Sequence, residues 1–226
     1  MHYQVDSTSD LSLYIHIPFC ITKCDYCAFY SIGGASCDSI LSFYTTLKEE
    51  LIDLVAKREK GFTTVFIGGG NPGILRAEQL LHLVNLITSL GDVEEFTIEM
   101  NPESLDEQMY ILFDHGVNRL SIGIQTLNSE HLKTLQRSAS KEATLQALKR
   151  ITYIKERFHT SINVDIMTCI PGERIQDSMH DIDVILSLAP VDHISLYNLT
   201  YEEGTVLSAK RDTHDIVPID EDMERE

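Results

Sequence analysis

No run in this sequence approaches the ~18 consecutive apolar residues that a membrane-crossing helix requires, so no integral membrane segment is expected. Positive charge is scarce as well: 18 Lys and Arg stand against 35 Asp and Glu, for a formal net charge of −17. That balance repels a phosphate backbone and an anionic lipid surface alike, which argues against nucleic acid as a partner. Residues 1–10 lack the basic stretch followed by an apolar one that marks a secretory leader, and the expected location is cytoplasmic. Internal repeats and low-complexity tracts are missing too. With 226 residues, 43% of them apolar, one sizeable core is the default.

What is present is an alternation of two patterns. Short apolar runs, often β-branched, read as strands at 13–17, 64–67, 95–100, 119–124, 162–167 and 193–199. Between them, apolar residues recur at three- and four-residue spacing, as in Leu41, Tyr44, Leu47, Leu51, Leu54 and Val55, and again in Leu80, Leu83, Val84, Ile87 and Leu90. These are helices. Strand–helix alternation predicts an α/β fold with right-handed crossovers on a parallel sheet, either doubly wound or curled into an incomplete barrel. In both, ligands gather at the carboxyl ends of the strands. Here the cysteines follow the first strand, Gly68-Gly69-Gly70-Asn71-Pro72 the second, and Glu99 to Pro102 close the third. Gln125 follows the fourth and Asp165 lies in the fifth. Residues 1–207 are expected to form the core domain. Residues 208–226, polar and acidic, are read as a disordered tail or the start of a helix whose continuation is missing.

Five cysteines make an odd count, and three of them, Cys20, Cys24 and Cys27, fall within eight residues. In a reducing compartment such a cluster points to metal ligation before disulfides. Three thiolates on a cubane iron–sulfur cluster leave one iron open to an outside ligand. Two other readings fit the spacing: a structural zinc site completed by Cys37 or His16, or a closed electron-transfer cluster completed by Cys37. Cys169, in an apolar stretch, reads as a buried thiol.

The remaining candidates each carry a plain alternative. The glycines at 68–70 allow backbone to approach a ligand, or simply turn the chain into a helix near Arg76. Glu99 is a ligand acceptor or an exposed strand end. Gln125 and Asp165 are polar groups in apolar strands and need hydrogen-bond partners, a ligand being one. Arg137, after a short helix at 129–136, meets a carboxylate or caps a solvated helix end. His16 is a core histidine or a donor behind the cluster, and Tyr14 lies on its face of the strand.

Together these segments resemble the radical S-adenosylmethionine (SAM) group that contains oxygen-independent coproporphyrinogen III oxidases and related heme chaperones. The resemblance runs from about Leu13 to Asp222. It is carried by Tyr14-Ile15-His16-Ile17-Pro18-Phe19-Cys20, the three-cysteine motif with Tyr26, Phe66-Ile67-Gly68-Gly69-Gly70 and Ile98-Glu99-Met100-Asn101-Pro102-Glu103. Further pieces are Gly116 through Gln125, Asn163-Val164-Asp165, Pro171-Gly172 and His193-Ile194-Ser195-Leu196-Tyr197. The resemblance implies an incomplete (β/α)6-type radical SAM barrel with parallel strands. It implies Cys20, Cys24 and Cys27 as ligands of a [4Fe-4S] cluster, with Tyr14, Tyr26, Gly69, Gly70, Asn71, Glu99, Gln125, Arg137 and Asp165 around SAM. In that group SAM is cleaved reductively to methionine and a 5'-deoxyadenosyl radical. The oxidases place a fourth cysteine two residues after the third, whereas the chaperone branch has phenylalanine, and Phe29 stands here. The resemblance therefore implies a heme-chaperone-like protein, with heme and heme-acceptor proteins joining SAM as partners. A coproporphyrinogen oxidase and a non-catalytic cluster-binding module are the alternatives.

Three departures bear on SAM: Asn71 where threonine is usual, 166–170 in place of a tyrosine-glycine-leucine ending, and Ser138-Ala139-Ser140 where a histidine is usual. A histidine–asparagine motif associated with heme is not found in the sequence, which is expected to stop short of a complete family member.

Overall fold

The computed structural model describes residues 7–219, so the parts of the core and tail expectations that fall on 1–6 and 220–226 lie outside the described residues. In chain order the elements are β1 (Ser12–Ile17), β2 (Phe19–Cys20), β3 (Ile32–Gly33), α1 (Cys37–Ala56), β4 (Thr64–Gly69), α2 (Ala77–Thr88), β5 (Glu95–Met100) and α3 (Tyr110–Asp114). There follow β6 (Arg119–Gln125), α4 (Ser129–Thr134), α5 (Lys141–Phe158), β7 (Ser161–Thr168), α6 (Ile175–Leu188), β8 (His193–Asn198) and α7 (Val206–Asp212).

The six long strands make one parallel sheet in the order β1-β4-β5-β6-β7-β8. Their order in space is their order in sequence. A doubly wound sheet must reverse direction at a switch point. Without a reversal, right-handed crossovers stack all the helices on one face, which is the winding of a barrel. β1 and β8 each have one neighbour in the sheet, so the barrel is open. β2 and β3 form a separate two-residue parallel pair that the apolar pattern did not reveal.

Strand alternation separates two environments. One set of side chains, including Ile15, Ile17, Val65, Ile67, Ile98, Leu120, Ile122, Ile162 and Val164, is buried in the main core with α2 (Leu80, Leu83, Val84, Ile87) and α5 (Ala147, Leu148, Ile151, Ile154). The alternate positions are polar and aligned by register: Glu99 beside Ser121, Ser121 beside Asn163, Asn163 beside His193, then Gly123 beside Asp165 and Asp165 beside Ser195. Polar groups line the face away from the helices because that face meets the barrel interior.

The substituted stretch at 138–140 has a structural task. Ser140 caps α5, its hydroxyl accepting from the Ala143 N–H at 3.2 Å. The expected boundary between 207 and 208 falls inside α7, a helix capped by Thr205 whose Leu207 is fully buried.

Candidate functional site

The carboxyl ends of the strands wall a cavity of about 140 Å³. Cys20, Cys24, Cys27, Gly69, Gly70, Glu99, Ser121, Gln125, Arg137, Asp165 and Tyr197 are among the residues that line it. An adjoining cavity of about 460 Å³ shares Tyr26, Cys27, Phe29, Glu99, Asp165 and Tyr197 with it and continues to Met167, Asn198 and Thr200.

The cysteines sit on a loop that leaves β2 and returns through β3. Cys20 is buried on β2, while Cys24 and Cys27 are half-buried in an irregular stretch closed by a Cys27 N–H to Cys24 carbonyl bond of 3.1 Å. Lys23 Nζ braces this loop by donating to the Phe29 and Ser31 carbonyls at 3.1 and 3.3 Å. Burial pushes the Cys20 thiol up to about 11, and the nearby Cys24 and Cys27 push the same way. A buried thiol whose ionisation is opposed by two neighbouring sulfurs belongs to a donor set that a cationic centre would relieve. Among the described residues, no three His, Cys, Asp or Glu converge as a site for a single metal ion. A multi-iron cluster asks something different, since each thiolate reaches its own iron from the wall of a cavity. Cys37 is exposed at the first position of α1, and His16 lies outside the cavity wall. The His16 Nε2–H donates to the Tyr30 carbonyl at 2.8 Å, leaving Nδ1 to accept from the Tyr14 hydroxyl at 2.9 Å. Neither residue is offered as a fourth ligand.

Arg137 reaches the cysteines because of how α4 ends. The Gln136 N–H bonds the Lys133 carbonyl and the Arg137 N–H the Leu132 carbonyl, while Gln136 adopts a left-handed φ of 56°. This Schellman turn folds the chain back over the helix end. The Arg137 side chain then donates to the Gly123 carbonyl, to Asn101 Oδ1 at 3.2 Å and to Cys24 Sγ at 3.6 Å, while its Nε has no partner among the described residues. Burial alone would lower its pKa, but the neighbouring Tyr26 and Cys24 outweigh that effect and raise it. The cavity therefore holds a fixed positive charge beside the thiols. The solvated helix end was the alternative in the sequence, and the turn removes it.

Burial holds the Glu99 carboxyl above its ordinary range against the Gly69 N–H, which donates to Oε2 at 3.1 Å. Asp165 accepts from Asn163 Nδ2 at 2.8 Å and Ser121 Oγ at 3.2 Å, and Asn163 also donates to Ser121 at 2.7 Å. A register shift between Gly123 and Gln125 and a left-handed φ of 69° re-aim Gln125, whose Oε1 accepts from the Tyr197 hydroxyl at 2.6 Å. Burial and the nearby Asp165 push Tyr197 up to about 12.

The structure thus gathers Cys20, Cys24, Cys27, Tyr26, Gly69, Gly70, Glu99, Gln125, Arg137 and Asp165 around one cavity. Tyr14 and Asn71 are not in its wall. Tyr14 is 57% exposed and spends its hydroxyl on His16. Asn71 is buried as a turn organiser: Oδ1 accepts from the Gly73 and Asn101 N–H groups, and Nδ2 donates to Ser104. Asn101, Ser121 and Tyr197 line the cavity but were not singled out from the sequence. Ser121 shares its face of β6 with Gly123 by two-residue alternation, which was the available signal, whereas the reach of Tyr197 depends on the register of β8.

The radical SAM superfamily model matches residues 14–185. The chain is 34% identical over 206 residues to the heme chaperone HemW of Buchnera aphidicola subsp. Acyrthosiphon pisum (strain APS), covering 89% of this chain and 54% of that protein. It is 36% identical over 203 residues to the heme chaperone HemW of Bacillus subtilis (strain 168), covering 86% and 52%. Among solved structures it is similar to the coproporphyrinogen III oxidase (HemN) from Escherichia coli, a radical SAM enzyme, with a TM-score of 0.77 and 24% identity over 95% of this chain and 49% of that one. At that identity the likeness speaks for the fold. The chain spans about half the length of the curated relatives it matches.

Proposed function

The chain belongs to the radical SAM superfamily, a membership that implies a [4Fe-4S] cluster and SAM, and from it we propose that Cys20, Cys24 and Cys27 hold the cluster and that the other residues of the cavity bind SAM. The observation that carries the proposal is one chamber lined together by three thiols, a guanidinium, two carboxylates, Gln125 and Tyr197. When bound, the cluster supplies the electron for reductive cleavage of SAM. The residues of the chain bind and orient. Arg137 offsets the negative charge of the thiolates, and the Glu99 and Asp165 carboxylates present acceptors to the hydroxyl and ammonium donors of SAM. The bare backbone at Gly69 and Gly70 lets the ligand approach β4 closely. Tyr26 and Phe29 flank the cysteines in the lining of the cavity.

The wider reading is a heme-chaperone-like protein that takes heme as a ligand for transfer to acceptor proteins, in a cytoplasmic, reducing setting. Phe29 in place of a fourth cysteine and relatives named as heme chaperones support it. Electron paramagnetic resonance of the anaerobically reconstituted, reduced protein tests the cluster and SAM together: a signal that shifts when SAM is added is the expected result. A cluster whose signal ignores SAM would leave only the cluster-binding module. Saturable heme binding is expected on titration, and turnover of coproporphyrinogen III would replace the chaperone reading with the oxidase one.

A further inference from the structure

We propose that α7 is a strap that holds the cysteine loop in its ligating shape, with Lys210 as the positioning residue, an inference that rests on the cluster assignment above. Asp25 lies between Cys24 and Cys27, and all three of its polar groups are held by elements distant in sequence. Lys210 Nζ meets its carboxylate at 2.6 Å, the Leu207 N–H donates to its carbonyl at 2.8 Å, and its own N–H donates to the Leu135 carbonyl at 3.2 Å. The next residue, Tyr26, packs on the small apolar cluster of Leu135, Met167, Ile170, Leu199 and Leu207. The loop has almost no regular structure between β2 and β3, so contacts from outside set its shape. α7 lies beyond the segment matched by the superfamily model.

Charge adds to geometry. The Asp25 side chain is only 10% exposed, and a nearly buried carboxylate without its cation is costly. It also stands beside sulfurs that ligate as anions. Lys210 neutralises that extra negative charge, and losing it favours a loop that swings Asp25 toward water and parts Cys24 from Cys27.

Pulsed alkylation of the reduced, cluster-free protein, read by mass spectrometry, tests this with Cys37 as the internal reference, because Cys37 is exposed at the start of α1. Lys210→Met should raise the alkylation rates of Cys24 and Cys27 relative to Cys37 by roughly three- to tenfold. Lys210→Arg should restore them to within about twofold, since the charge returns. Lys133→Met, which removes the exposed Lys133–Glu130 pair, should leave them unchanged. After reconstitution, Lys210→Met should lose iron to a chelator faster by a similar factor. Unchanged ratios in Lys210→Met, an equal rise at Cys169 and the two loop cysteines, or no rescue by arginine would each overturn the strap. A parent chain that takes up no iron would sink the cluster assignment, while the alkylation ratios would still decide the strap.

Discussion

Replacing Gly70 with alanine puts one methyl group where β4 passes the start of the cysteine loop. The Gly70 N–H donates to the Ile17 carbonyl and the Asn71 N–H to the Phe19 carbonyl, both at 2.8 Å, which pins the turn against β1 and β2. A Cβ at Gly70 would lie 2.6 Å from the Phe19 carbonyl oxygen, 3.0 Å from the Ile17 carbonyl oxygen and 3.0 Å from Cys20 Sγ. Two of the three obstacles are backbone atoms of the buried residues Ile17 and Phe19, so no side-chain rotation relieves them. Forced overpacking of this kind costs about 1–3 kcal/mol. The reduced freedom of alanine in the unfolded chain returns about 0.4–1 kcal/mol. A net loss of about 1.5 kcal/mol corresponds to a drop of roughly 3–6 °C in Tm for a chain of this size. Gly123→Ala is the matched comparison, because its nearest neighbours would be side-chain ends and no backbone: Gln125, Arg137 and Asn101, at 3.1, 3.4 and 3.7 Å. Thermal unfolding of the cluster-free proteins by circular dichroism, with iron and sulfide counted after reconstitution, reads both effects. Gly70→Ala should melt lower and hold less iron than Gly123→Ala. If it melts at or above the parent and takes up full iron, the close-approach argument is wrong.

Arg137→Leu removes the cation beside Cys24 along with its bonds to Asn101 and Gly123, and groups that support metal ligands typically contribute about 10–100-fold in affinity. Competition with a graded chelator should show that loss, and equal retention of iron would refute the role. The raised pKa of Glu99 means that the folded state keeps its proton longer than the unfolded chain, so its stabilising contribution is lost as pH rises through the raised value. Glu99→Gln escapes that loss, and its urea midpoint should gain on the parent from about pH 4 upward to neutrality; a difference that stays flat over this range contradicts the burial argument. Tyr197→Phe leaves the buried Gln125 Oε1 without its donor, at about 1 kcal/mol, and should weaken the SAM-induced change in the resonance spectrum. Unaltered stability and an unaltered spectrum would remove Tyr197 from the site.

The sequence by itself determined the features whose information is local. The six strands follow from β-branched apolar runs and appear within a residue or two of their expected ends, and the cysteine spacing and glycine turn mark the rim, because period and spacing are properties of neighbouring residues. Single positions were less legible where a side chain had two possible directions. The amide of Asn71 is consumed by Gly73, Asn101 and Ser104, and the Tyr14 hydroxyl bonds His16 two residues along its own strand. The strand pattern alone left the open barrel and the doubly wound sheet both standing; the family resemblance implied the barrel, and the strand order shows it, since that choice lies in which strands pair and not in what each contains. Register did the rest: it set Ser121, Asn163 and Asp165 in one network and carried Tyr197 to Gln125. The contact of Arg137 with Cys24 and the grip of Lys210 on Asp25 join chain segments more than a hundred residues apart, and no pattern read along the chain encodes that distance.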